Sequence, residues 1–367
     1  MVGERVDLFR FAHEHRGEVV WMSQNTNTIP LDPSIKDAIL TSTQKEEYHL
    51  YPYKPGVFGM TEAIRNDLSI DGFDVFLTNG GIEALYSAQR ALLRQGDEVI
   101  TTDPSFLPIH KQAGMSGAKV VEVPIYGEPW KLTVDAVERE IGERTKALLI
   151  IDPHNPLGIG YTAEELKGLS EVAEDRGLYL LHDITYRDFN DGQVLATEFY
   201  PEKTLLFYSF SKGAGLAGMR VGALIATPQL VERVRHFDTN ILGVNVLAQR
   251  AALASLKGKD DWLPRLREIC RRNQAVIRGA VERVDGAFLP VYPSKGNMFI
   301  IDVQDTGVDP ATLEERMLLE HRVYVRAGYY LSERFGQNFI RVSFSVPPEE
   351  CDRFPRAFTE SVETLRT

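Results

Sequence analysis

An α/β fold built on a mostly parallel sheet of seven strands is predicted by three features of the sequence. Seven short apolar runs recur between about residues 73 and 227, each bounded by polar or glycine-containing turns. Stretches with helical periodicity separate them. Polar motifs follow several of the runs, and in open α/β sheets the carboxyl ends of the strands are where ligands bind.

The runs occupy 75–77, 98–100, 119–123, 147–151, 178–181, 205–208 and 221–225. Near-continuous apolar character suits strands covered by helices on both faces. Residues 82–94 set Leu85, Ala88, Leu92 and Leu93 on one helical face, and 162–176 opens with Thr162 three residues before Glu165, a capping pattern. From 228 through roughly 285 the texture is helical. Residues 287–360 read as strands at 298–303, 323–326 and 339–344 alternating with helices. The first ~45 residues are too few to fold alone and are expected to pack on this C-terminal unit. The predicted division is a large α/β domain over 46–265 and a smaller α+β domain formed by 1–45 and 266–367. The sequence carries no internal repeat and no low-complexity tract.

Composition excludes several functions. With 41 Lys and Arg against 52 Asp and Glu, the net charge is -11, which disfavours a general grip on nucleic acid or an anionic membrane. Two cysteines, Cys270 and Cys351, are too few for a disulfide framework and suit a reducing cytoplasm. The N-terminus is charged from its start and no apolar run approaches the ~18 residues of a membrane span, so neither export nor membrane insertion is expected. The eight histidines show no ligand spacing such as H-E-x-x-H, and no metal is expected.

The chemistry gathers at the predicted strand ends. Lys212 lies in a glycine-rich turn with Ser209 and Ser211 before it and Arg220 eight residues after it. A lysine forms an imine with an aldehyde only as the free amine, so its ordinary pKa of about 10.4 would have to be depressed by burial or a neighbouring cation. Arg220 can clamp a phosphate in two parallel N–H bonds. Gly80-Gly81-Ile82, at a helix start, either presents bare backbone N–H groups to an anion or simply turns the chain. Asp183 closes a strongly apolar strand and needs a cationic or capping partner; a protonated pyridine nitrogen is one. Tyr186 and Asn155 can donate to an oxygen on the same ring. Phe106 can stack on a flat ring or serve the core. Arg341, mid-strand in an apolar run, needs an anion, either a substrate α-carboxylate or an internal Asp or Glu.

Taken together, these residues resemble the aminotransferase class I and II family, fold-type-I enzymes that use pyridoxal 5'-phosphate (PLP). The resemblance spans almost the whole chain. Its anchors are Tyr51 with Gly56, the 78–84 turn, residues 154–158, Asp183 with Tyr186, the 209–220 segment and Arg341. It implies that Lys212 forms the internal aldimine and shuttles the proton between substrate Cα and cofactor, and that Asp183 keeps the pyridine nitrogen protonated. Asn155 and Tyr186 would hold the ring oxygen. Backbone groups of Gly81 and Ile82, with Ser209, Ser211 and Arg220, would bind the phosphate. Phe106 would stack on the ring, and Arg341 would pair with the substrate carboxylate.

Tyr51 matches the tyrosine that reaches the phosphate of the neighbouring subunit, which implies a homodimer; Tyr53 matches in a shifted register. Three positions depart from the pattern. Ile82 replaces a frequent hydroxyl residue, Leu157 replaces a common threonine, and the loop 23–28 lacks the usual glycine-rich substrate cover. Asn25 on that loop, with Asn155, is a candidate substrate contact. The chain is similar to the histidinol-phosphate branch and, in its 154–156 segment, to the aspartate and aromatic branches. The expected activity is ping-pong exchange of an amino group between an L-amino acid and a 2-oxo acid. The same cofactor residues would also serve a lyase, decarboxylase or cyclising enzyme, and a PLP-binding sensor domain is the alternative outside catalysis.

Overall fold

The computed structural model describes residues 7–30 and 32–366. The charged segment 1–6, part of the predicted N-terminal contribution to the small domain, lies outside the described residues. Twelve strands among the described residues carry the fold: β1 (Val20–Trp21), β2 (Asp74–Thr78), β3 (Glu98–Asp103), β4 (Lys119–Pro124), β5 (Thr145–Ile151), β6 (Tyr179–Asp183), β7 (Thr204–Ser209), β8 (Gly222–Ala226), β9 (Met298–Asp302), β10 (Val323–Tyr324), β11 (Arg326–Ala327) and β12 (Phe339–Ser343).

The seven predicted runs form one sheet in the order β2-β8-β7-β6-β5-β3-β4. Pairings from β4 through β7 are parallel, and β8 runs against both of its neighbours. Six of the seven strands therefore share a direction and end along one edge. Successive residues of β7 face opposite cores, Leu205 and Phe207 on one side and Leu206 and Tyr208 on the other. This is why the run shows no polar alternation: both faces are covered.

The C-terminal part holds an antiparallel sheet, β11-β12-β9, and a short parallel pair, β1-β10. The single strand expected at 323–326 is in fact divided between them: Val323 and Tyr324 pair with Val20 and Trp21, while Arg326 and Ala327 pair with Arg341 and Ile340. A two-residue strand such as β1 has too little length for periodicity to reveal it. Val20, Met22 and Ile29 share a core with Trp262, Leu266 and Phe299. Ile35, on the helix Pro33–Gln44, instead joins the core that covers Leu206 and Tyr208 together with Ala248 of the helix Val246–Lys257.

Among the described residues no helix is long and apolar enough to cross a membrane, and no three His, Cys, Asp or Glu side chains are grouped to hold a metal ion. Cys270 and Cys351 are buried free thiols.

Candidate active site

Four parallel strands deliver side chains to one cavity of about 280 Å³ at their carboxyl ends. Asp183 is the last residue of β6 and Ser209 the last of β7; Asn155 follows β5, and Phe106 follows β3. Lys212, Ser211 and Arg220 enter from the loop after β7, and Tyr186 from the turn after β6. Gly81 and Ile82 line the same cavity from the start of the helix Gly81–Leu92. Ten of the thirteen sequence-predicted residues therefore converge.

The helix start is built for close approach. Gly80 has φ +83°, and a Cβ there would lie 2.5 Å from Arg220 Nη2, so glycine both permits the backbone and makes room for the guanidinium. No side chain caps the helix, which leaves its first amides directed at the cavity. Arg220 is tied down by the carbonyls of Ala217 (2.9 Å) and Asn79 (3.2 Å) and by Ser211 Oγ (3.5 Å). One end of the cavity is thus a compact anion cradle.

At the floor, Asp183 Oδ1 accepts from the Thr185 N–H at 2.9 Å. Burial raises its pKa, opposed by the Thr185 hydrogen bonds and by the His182 and Lys212 charges. Lys212 Nζ donates to the Gln24 carbonyl at 3.0 Å. Burial first, then the positive charges of Arg341 and Arg220, push the amine down to about 7, with Asp183 pulling the other way. Burial and neighbouring cations are the two influences that favour a free amine.

Arg341 and Asn25, predicted as substrate contacts, border the cavity and are knitted into it. Arg341 Nη1 donates to Asn155 Oδ1 at 2.9 Å and Nη2 to the Ser23 carbonyl, while Nε has no hydrogen-bond partner among the described residues. Among the described residues no carboxylate lies within ion-pair distance of this buried guanidinium, so the internal Asp or Glu alternative has no candidate in direct contact. Burial lowers its pKa to about 10. Asn25, at φ +53° and 1% exposed, donates to Tyr186 Oη at 3.1 Å, and its Oδ1 has no partner among the described residues. Asn155 Oδ1 is taken by Arg341 and, at 3.5 Å, by Asn25, which leaves its amide nitrogen as the donor toward the cavity.

Tyr51 is the predicted site residue that stands apart: it is 81% exposed in the single chain and does not line the cavity. Sequence reasoning missed Thr185, although its position two residues after a strand-ending Asp is the signature of a side-chain turn. It also missed the supports of the lysine loop. Asn27 Nδ2 donates to the Gly213 carbonyl at 2.8 Å, and a Cβ on Gly213 would collide with the Asp188 carboxylate, itself paired with Lys259 at 2.7 Å. No local pattern announces contacts between segments so far apart.

The family model described as "Aminotransferase class I and II" matches residues 17–358. The chain is 27% identical over 291 residues to an aspartate aminotransferase of Pyrococcus horikoshii, covering 77% of this chain and 74% of that protein. It is 30% identical over 258 residues to a histidinol-phosphate aminotransferase of Staphylococcus saprophyticus, covering 69% and 71%. Its fold superposes on N-succinyldiaminopimelate aminotransferase from Mycobacterium tuberculosis with a TM-score of 0.85 at 23% identity, over 97% of each chain.

Proposed function

The chain belongs to the aminotransferase class I and II family, and on that premise we propose how its own residues divide the work of moving an amino group from an amino acid to a 2-oxo acid. The family is PLP-dependent, and aminotransfer is the activity its members share with this chain. The donor set fits that cofactor. An uncapped helix start beside Arg220 and Ser211 suits a phosphate, and Asp183, a half-buried carboxylate with no cation bonded to it among the described residues, suits a protonated ring nitrogen.

When bound, PLP supplies an electron-poor ring that takes up the electron pair left when a bond at the substrate Cα breaks. The protein's part is binding, orientation and proton handling. The amides of Gly81 and Ile82, with Ser209, Ser211 and Arg220, hold the phosphate. Phe106 covers the ring. Asp183 keeps a negative charge at the floor, where it retains a proton on the ring nitrogen. Tyr186, whose oxygen already accepts from Asn25, still has its own O–H to donate to a ring oxygen, and Asn155 adds an amide N–H. Lys212, neutral above about pH 7, attaches the cofactor and carries the proton at Cα. Arg341 takes the substrate α-carboxylate, with Asn155 and Asn25 beside it.

One juxtaposition carries this reading: a lysine amine depressed to about 7 shares a cavity with a carboxylate that, among the described residues, has no bonded cation, and a buried arginine without a carboxylate contact among them borders it. The test is a panel of amino acids mixed with the PLP-loaded protein. Stoichiometric release of the matching 2-oxo acid, with conversion of the cofactor to its amine form, supports aminotransfer; carbon dioxide, ammonia or a cyclised product would point to the lyase, decarboxylase or cyclising alternative.

We further propose a cytoplasmic homodimer in which Tyr51 reaches the neighbouring site. Support comes from an exposed apolar surface: Leu50, Tyr51, Tyr53 and Phe58 are 62% exposed or more, as is Ile241. Gly243 lies against Pro52, so these segments adjoin. Contiguous exposed apolar area of this kind marks an interface. The division into a cofactor-binding part over 46–265 and a smaller part over 1–45 and 266–367 is likewise proposed, with the helix Pro33–Gln44 lying against the larger one.

A further inference from the structure

A second, larger cleft of about 700 Å³ opens beside the strand pair that carries Arg341. Arg326 stands directly opposite Arg341 in the antiparallel β11–β12 register, so both side chains leave the same face of the sheet. Arg341 borders the cofactor cavity, and Arg326 lines this cleft.

The cleft is acidic and aromatic. Asp7, Asp309, Glu314 and Glu315 line it against one guanidinium, that of Arg326. That single cation is already engaged: its Cζ sits 3.5 Å over the Tyr330 ring, and Nη1 donates to Tyr324 Oη at 3.2 Å. Glu314 is the informative group. It is 2% exposed; Oε2 accepts from the Ala327 N–H at 2.9 Å, while Oε1 has no hydrogen-bond donor among the described residues and only a loose ion pair, with Arg326 Nη1 at 3.8 Å. A buried carboxylate oxygen held by one loose ion pair and no hydrogen bond is costly, and a closer cationic donor would relieve that cost. Burial accordingly pushes the Glu314 pKa up to about 7, opposed by the Ala327 N–H and by Arg326 and Arg341. Glu315 makes no ion pair among the described residues, and Leu8 and Phe9 supply an apolar wall along which a methylene chain can lie.

We propose that this cleft receives the cationic end of the amino-acid substrate's side chain, a guanidinium or long-chain ammonium, while Arg341 holds the α-carboxylate. The inference rests on the aminotransferase reading of the first cavity and deepens it: the donor is a basic amino acid. Excess carboxylate charge attracts the cation, the aromatic rings accept it on their faces, and Glu314 Oε1 gains its missing donor.

The test uses L-arginine and L-citrulline, which share length, amine and carboxylate and differ in charge. Each is titrated calorimetrically into the PLP-loaded full chain carrying Lys212→Ala, so that binding is read without turnover. Arginine is expected to bind at least about tenfold more tightly than citrulline, the worth of one charge-assisted hydrogen bond. Glu314→Gln, which keeps an acceptor for Ala327, and Glu315→Gln should each shrink that ratio while leaving citrulline affinity unchanged, which also reports an intact fold. Equal affinities in the parent, a ratio that survives both substitutions, or tighter binding of O-phospho-L-serine than of arginine would overturn the proposal. Amino transfer from neutral donors without charge selectivity would remove the cleft's role and leave the aminotransferase reading standing; charge-selective binding with no transfer by the wild-type protein would do the reverse.

Discussion

The amine of Lys212 donates a 3.0 Å hydrogen bond to the main-chain carbonyl of Gln24, tying the loop after β7 to the segment that precedes Asn25. That contact joins two segments 188 residues apart. Burial and two nearby guanidinium groups then hold its pKa at about 7.

A lysine in that state is mostly neutral above pH 7, and only the neutral amine attacks an aldehyde. The rate at which cofactor-free protein takes up PLP is therefore expected to rise about tenfold per pH unit below 7 and to level off above it. Stopped-flow absorbance measures this directly. A rate still climbing toward the ordinary lysine range would mean that the amine is solvated.

Asp183 points the other way. Its folded-state pKa is raised, so in the cofactor-free protein its contribution to stability is present at low pH and is lost as pH rises through the folded value. Asp183→Asn removes that cost, and the amide oxygen can still accept from Thr185. The cofactor-free variant should melt at or above the parent's temperature at neutral pH, while amino transfer falls by about 10²–10³-fold through loss of the charge opposite the ring nitrogen. A cofactor-free variant that is clearly less stable would show that the carboxylate is structural.

Arg341 has hydrogen-bond acceptors but no carboxylate in contact among the described residues. Arg341→Ala should raise KM for amino acids by about ten- to a hundredfold, the worth of a charge-assisted contact, with a smaller effect on PLP retention. Arg341→Lys should recover only part of it, because an ammonium cannot reproduce the two-pronged geometry. Steady-state kinetics beside a cofactor titration separates the two effects; an unchanged KM would move the carboxylate site elsewhere.

Tyr51 is 81% exposed and Phe58 88% exposed in the single chain. Sedimentation at micromolar concentration should find a dimer, and Phe58→Glu should shift it toward monomer by placing a charge in an apolar contact. Mixed dimers of Lys212→Ala and Tyr51→Ala chains should place both lesions in one site and restore the other. A monomer at all accessible concentrations, or no recovery on mixing, would remove Tyr51 from the site.

The sheet was readable because both of its faces are buried, so the seven strands appear as uninterrupted apolar runs that neither charge nor turn residues break. Asp183, Asn155 and Ser209 were readable for the complementary reason: a polar residue at the end of such a run has few reasons to be there except a ligand. The small part was less legible. Val323 to Arg326 looks like one strand, yet Val20 and Trp21 claim its first half, and a two-residue partner leaves no period to detect. The same limit hid Gln24, Asn27 and Asp188, whose roles come from tertiary contacts with the lysine loop and not from local pattern. Arg326 is legible only after the register sets it opposite Arg341.

The most direct measurement is the covalent address of the cofactor. PLP-loaded protein reduced with borohydride, digested and mapped by mass spectrometry should carry the pyridoxyl group on Lys212 alone, and Lys212→Ala protein treated identically should carry none. A label on any other lysine, or an unlabelled protein that still transfers amino groups, would contradict the assignment of this cavity.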